Sequence, residues 1–121
     1  MRKMFSILAG AAFVAAMTVA APAAEPVSVT GELVEVACNN SKGEGGRGEA
    51  HANCAMACAK RGNQMGILTE DAIYLIAGDY SANNNAKLLD FVAKRVEARG
   101  EVSEKDGQTF LNVTSMMVAT Q

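Results

Sequence analysis

Four soft donor residues most constrain what this chain can be: Cys38, His51, Cys54 and Cys58. They comprise every cysteine and the only histidine of a 121-residue sequence, spaced C-x12-H-x2-C-x3-C. Three thiolates and one imidazole make a tetrahedral Cys3His set of the kind that holds zinc, and the same soft ligands suit copper(I). On a helix, positions 51, 54 and 58 fall within roughly 60° of one another. Seven residues of straight helix nevertheless rise about 10.5 Å, and zinc bonds are only about 2.0–2.3 Å long. His51 is therefore expected in the loop just before the helix, folded over its start. Cys54 then sits in the first turn and Cys58 one turn later.

Two other uses of the same cysteines stay open. Cys38 could pair with Cys54 or Cys58, closing a loop of roughly 16–20 residues worth about 3 kcal/mol and leaving one thiol over. Cys54 and Cys58 could also act as a redox pair. Their x3 spacing differs from the C-x-x-C of thioredoxin-like enzymes, and no βαβ pattern surrounds them.

The compartment matters to this choice. Met1-Arg2-Lys3 is a basic start, 5–21 is an apolar run, and Ala21-Pro22-Ala23 is a small-x-small cleavage site. Residues 1–23 read as a secretory signal peptide, with no cysteine at the cut to carry a lipid anchor. The remaining 24–121 read as a single domain, periplasmic or secreted from a bacterium, with no membrane attachment after cleavage. Taking 23 residues from 121 leaves 98, and losing Arg2 and Lys3 moves the formal charge from −2 to −4. A core of that size gains from a disulfide or a metal. Thiols in an oxidising compartment pair unless a metal holds them, and three is an odd number. Half the residues are hydrophobic, which excludes a disordered chain. The acidic balance and few aromatics speak against nucleic acid as a partner.

The remaining pattern is mostly strand. Residues 27–38 alternate, with a phase slip after Gly31 that suggests a bulge or bend. Residues 39–50, with Gly43, Gly45, Gly46 and Gly48, read as a flexible connector without a P-loop pattern. Residues 51–61 read as a helix, with Asn53 as a possible cap and Gly62 as its stop. Residues 65–69 and 72–77 read as a hairpin turning at Glu70-Asp71. Asn83-Asn84-Asn85 offers caps for a helix over 86–94, with Leu88, Leu89 and Val92 as its apolar stripe. Strands over 95–103 and 108–119 flank the turn Asp106-Gly107. The sum is a mainly β chain of five strands, an OB-fold-like β-barrel. It carries a Cys-bearing helix inserted after strand 1 and a helix between strands 3 and 4.

Three segments carry a resemblance: Gly31-Glu32-Leu33-Val34-Glu35-Val36-Ala37-Cys38, the run from His51 to Gly62, and Gly66-Ile67-Leu68-Thr69. They resemble small exported bacterial proteins of undefined role that pair an early cysteine with H-x-x-C-A-x-x-C-x-x-x-G on an OB-like sheet. The resemblance implies that Cys38, His51, Cys54 and Cys58 belong together and carries no activity to transfer. Cys54 and Cys58 also resemble the C-x3-C of Sco-type copper proteins. Those have a thioredoxin fold, so this likeness implies copper as an ion and nothing about the fold. Met56, Met65, Met116 and Met117 could add thioether ligands but are the usual filling of an apolar core. Glu70, Asp71 and Asp79 read as solvated turn residues.

The expectation is a non-enzymatic exported protein that binds one ion, zinc or copper(I), through Cys38, His51, Cys54 and Cys58. Its role would be structural or metal-handling. The glycine-rich connector would let the site open toward a protein partner for metal exchange.

Overall fold

The structure is a computed structural model that describes residues 26–119; the signal peptide expected over 1–23 lies outside the described residues. Five strands form one sheet: β1 (Val27–Glu35), β2 (Met65–Leu68), β3 (Ile73–Ala77), β4 (Arg95–Lys105) and β5 (Gln108–Val118). Between β1 and β2 the chain makes α1 (Val36–Lys42), short 3-10 turns at Gly43–Gly46 and Glu49–His51, and α2 (Ala52–Lys60). This is the expected Cys-bearing insertion after strand 1.

β1 has two partners. Its first part, Val27 to Glu32, runs antiparallel to β4, and its second part, Glu32 to Glu35, runs antiparallel to β2. β2 continues to β3, β3 lies parallel to β5, and β5 returns antiparallel to β4. The sheet therefore closes on itself in the order β1-β2-β3-β5-β4. Gly31 stands where β1 passes between its two neighbours. A Cβ there would run into the Leu68 carbonyl, so the glycine permits a close backbone approach. Of the bulge or bend expected beside it, no bulge is present, because the β1–β4 register runs unbroken. A register shift lies instead in β4, between Arg99 and Gly100.

The core gathers alternate strand residues, among them Val29, Leu33, Ile67, Ile76, Val96 and Leu111. Ala55 and Ala59 of α2 join it, as do Leu88 and Val92 from the β3–β4 connection. Full burial of one such Leu, Ile or Val side chain contributes about 1.5–3 kcal/mol.

Three expectations are corrected. Strand 1 stops at Glu35 and not at residue 38, because the Glu35 carboxylate accepts the N–H groups of Ala37 and Cys38 and starts α1. Residues 39–50 are not a free connector. Arg47 Nε donates to Asn39 Oδ1 at 2.7 Å, and Gly48 N donates to Glu32 Oε1 at 3.0 Å. Gly46 lies so close to α1 that a Cβ would strike the Cys38 carbonyl. Finally, no regular helix forms over 86–94. Asn83, Asn84 and Asn85 of the short α3 (Ala82–Asn85) are left-handed, with φ of 54°, 54° and 59°, and Ala86–Phe91 is a 3-10 turn. Asn85 is buried and caps another element: its Nδ2 donates to the carbonyls of Ala59 at 2.9 Å and Asn63 at 2.8 Å.

Candidate metal centre

Two short helices bring the cysteines together. Cys38 lies in the first turn of α1, and Cys54 and Cys58 lie one turn apart on α2. Their three Sγ atoms are all within 4.8 Å of one another. Metal–sulfur bonds of about 2.3 Å hold sulfurs about 3.8–4.0 Å apart in tetrahedral or trigonal sites, so little contraction is needed. Exposure is graded across the site: Cys58 is buried, Cys38 half-buried and Cys54 exposed.

Each inner sulfur has a polar partner. Arg61 follows Cys58 by three residues, and its Nη2 donates to Cys58 Sγ at 3.0 Å. That guanidinium offsets negative charge that collects on the sulfur. The Cys38 thiol donates to the Glu35 carboxylate. This hydrogen bond, followed by burial and the Glu35 charge, pushes the Cys38 thiol up from its ordinary 9.0 to about 12. Glu35 is only 1% exposed. Its burial raises its pKa, but the hydrogen bonds from Cys38, Ala37 and Asn63 outweigh that and hold the carboxyl below its ordinary range. Cys38 without metal is thus a thiol, and an ion that takes it as a ligand must displace its proton.

Asn63 ties the two helices together. Its N–H donates to the Cys58 carbonyl at 3.2 Å, and its side-chain amide donates to Glu35 at 3.5 Å. Its own carbonyl accepts from Asn85. The end of α2 and the start of α1 are therefore fixed to one another through Asn63 and Glu35, and Asn85 braces Asn63.

Of the four residues singled out from the sequence, the structure groups Cys38, Cys54 and Cys58 and leaves His51 out. The Glu49–His51 turn runs straight into α2, which puts His51 in the i, i+4 row of Ala55 and Ala59. That row faces the core. His51 borders a small void together with Leu33, Val34, Ala55 and Ala93, is 7% exposed, and has no hydrogen-bond partner at Nε2. Met65 is in the core, Met56 and Met116 pack against it, and Met117 is exposed on β5. Glu70 and Asp71 are exposed in a turn built on the Thr69 hydroxyl, as expected.

Sequence reasoning missed Glu35, Arg61 and Asn63. A usable signal existed for two of them, since Glu35 precedes Cys38 by three residues and Arg61 follows Cys58 by three. No family model, curated protein or solved structure matches the chain. Among the described residues, no helix is long and apolar enough to cross a membrane.

Proposed function

We propose that this chain is an exported, non-enzymatic metal-binding protein that holds one zinc or copper(I) ion through Cys38, Cys54 and Cys58. The observation that carries the reading is the convergence of all three cysteines, from two helices, to within 4.8 Å. An isolated thiol cluster would oxidise in an exporting compartment, whereas an ion holds thiolates reduced. The frame of Glu35, Arg61 and Asn63 supports the same reading, because outer partners of this kind orient metal ligands. The closed five-strand order with parallel β3 and β5 supports an OB-like barrel as the scaffold. The exposed Cys54 favours a metal-handling role over a sealed structural site.

Native mass spectrometry of the mature protein, isolated from the periplasm without chelator, tests the proposal. The expected result is one zinc or copper per chain and three reactive thiols once the metal is stripped. A metal-free mass two protons light means a disulfide. The cysteines are then a staple or a redox pair, and the metal-binding reading fails.

A further inference from the structure

Building on the metal-binding reading, we infer that the ion is copper(I), bound by three sulfurs, with its remaining face open beside Cys54 to an incoming thiolate or thioether. Structural zinc sites use four protein ligands in a tetrahedron. Among the described residues, the donor group here has three members, and no His, Asp or Glu completes it. Copper(I) is soft, has a filled d shell, and is satisfied by three thiolates.

The other candidate donors lie outside this group. His51 is buried at the start of α2, in the row of Ala55 and Ala59, and is not in the group. The Glu35 carboxylate accepts from the N–H groups of Ala37 and Cys38 and from Asn63. Asn39 Oδ1 accepts from Arg47, and Met65 is in the core. Three thiolates around a monovalent ion leave two negative charges in excess, one more than around zinc. The Arg61 guanidinium on Cys58 Sγ offsets one of them.

Exposure then sets the direction of entry. Cys58 is buried and Cys38 half-buried, so an ion arrives and leaves past Cys54. Loading is ligand exchange without redox change. Copper enters and stays as the monovalent ion, each thiol that becomes a ligand releases its proton to water, and no electron moves. Handing the ion on replaces each copper–sulfur bond by one to the partner's sulfur.

The test uses reduced mature protein under anaerobic conditions, titrated with copper(I) against a chromogenic copper(I) chelator. Zinc is titrated in parallel, and the loaded protein is examined by X-ray absorption. The expected outcome is one copper per chain, a shell of three sulfurs with no nitrogen, and copper retained against about a 100-fold excess of zinc. Cys54→Ser lowers copper(I) affinity by at least about tenfold, and His51→Leu leaves it within about threefold. Zinc that displaces copper, or a nitrogen in the shell that disappears in His51→Leu, overturns the copper inference while the metal-binding reading stands. Binding of neither ion overturns both.

Discussion

Glu35 ends a strand, starts a helix and accepts a hydrogen bond from the Cys38 thiol, all with one buried carboxylate. The Cys38 contact has a definite pH window. The folded chain holds the Cys38 proton more tightly than the unfolded chain, so this stabilisation is complete below the ordinary 9.0 and lost as pH rises through about 12. Glu35 has the opposite sign. Its lowered value adds stability above its ordinary 4.5, and that stability is lost as pH falls through the lowered value. In the metal-free, reduced protein at about pH 8, Cys38 should therefore alkylate more slowly than the exposed Cys54. Glu35→Gln should speed Cys38 labelling by at least about tenfold, read by mass spectrometry of the labelled peptides. Equal Cys38 rates in the two proteins would show that the carboxylate does not hold the thiol. The N-cap role itself was illegible in the sequence, because Glu is not among the residues that favour that position.

The strands, the Cys-bearing helix and the two tight turns were legible, whereas the end of β1 and the connections over 39–50 and 82–94 were not. Alternation over 95–103, the alternation with one phase slip over 27–38, and the short apolar runs at 65–69, 72–77 and 108–119 report strands, and those signals depend only on neighbours along the chain. The three asparagines before residue 86 look like helix caps from the same local evidence. Their role is set by a partner distant in sequence: Asn85 reaches back to the end of α2 through Ala59 and Asn63. His51 failed for a related reason. Its spacing to Cys54 and Cys58 suggests a shared face, but the Ala55–Ala59 row is what the core buries, and His51 belongs to that row. Asn85→Ala removes two hydrogen bonds, one to the buried Ala59 carbonyl and one to the part-buried Asn63 carbonyl, and should cost about 1–3 kcal/mol, measured by the urea midpoint. Because Asn63 also bonds Glu35, the same variant should loosen the cysteine site, seen as faster alkylation of Cys58. A loss of stability without that increase would mean that the two helices are held together by other contacts.

Closure of the sheet organises the whole molecule. A closed sheet leaves no unpaired edge, which is the usual risk of a small β protein. It also makes one strand answer to both ends of the chain, since β1 is held by β2 on one side and by β4 on the other. Gly31→Ala tests that arrangement, because the added methyl meets the Leu68 carbonyl where the backbones pass. It should lower stability by about 2 kcal/mol or more, with a single cooperative transition in thermal unfolding. An unchanged melting temperature would mean that β2 can move aside without opening the sheet.

Glu35 and Met65 are register partners across β1 and β2, and Val36 N donates to the Gln64 carbonyl at 3.0 Å. The chain thus leaves the barrel and returns to it through one doorway, and all three cysteines hang on the loop between. Such an attachment makes the centre portable. A hairpin with that spacing on another scaffold could accept residues 36–64, provided it offers an apolar patch for Ala55 and Ala59 to cover. By the same logic, a change of length or of residues within the cysteine-bearing segment leaves the strand register untouched, so the chemistry of that segment and the fold can vary separately.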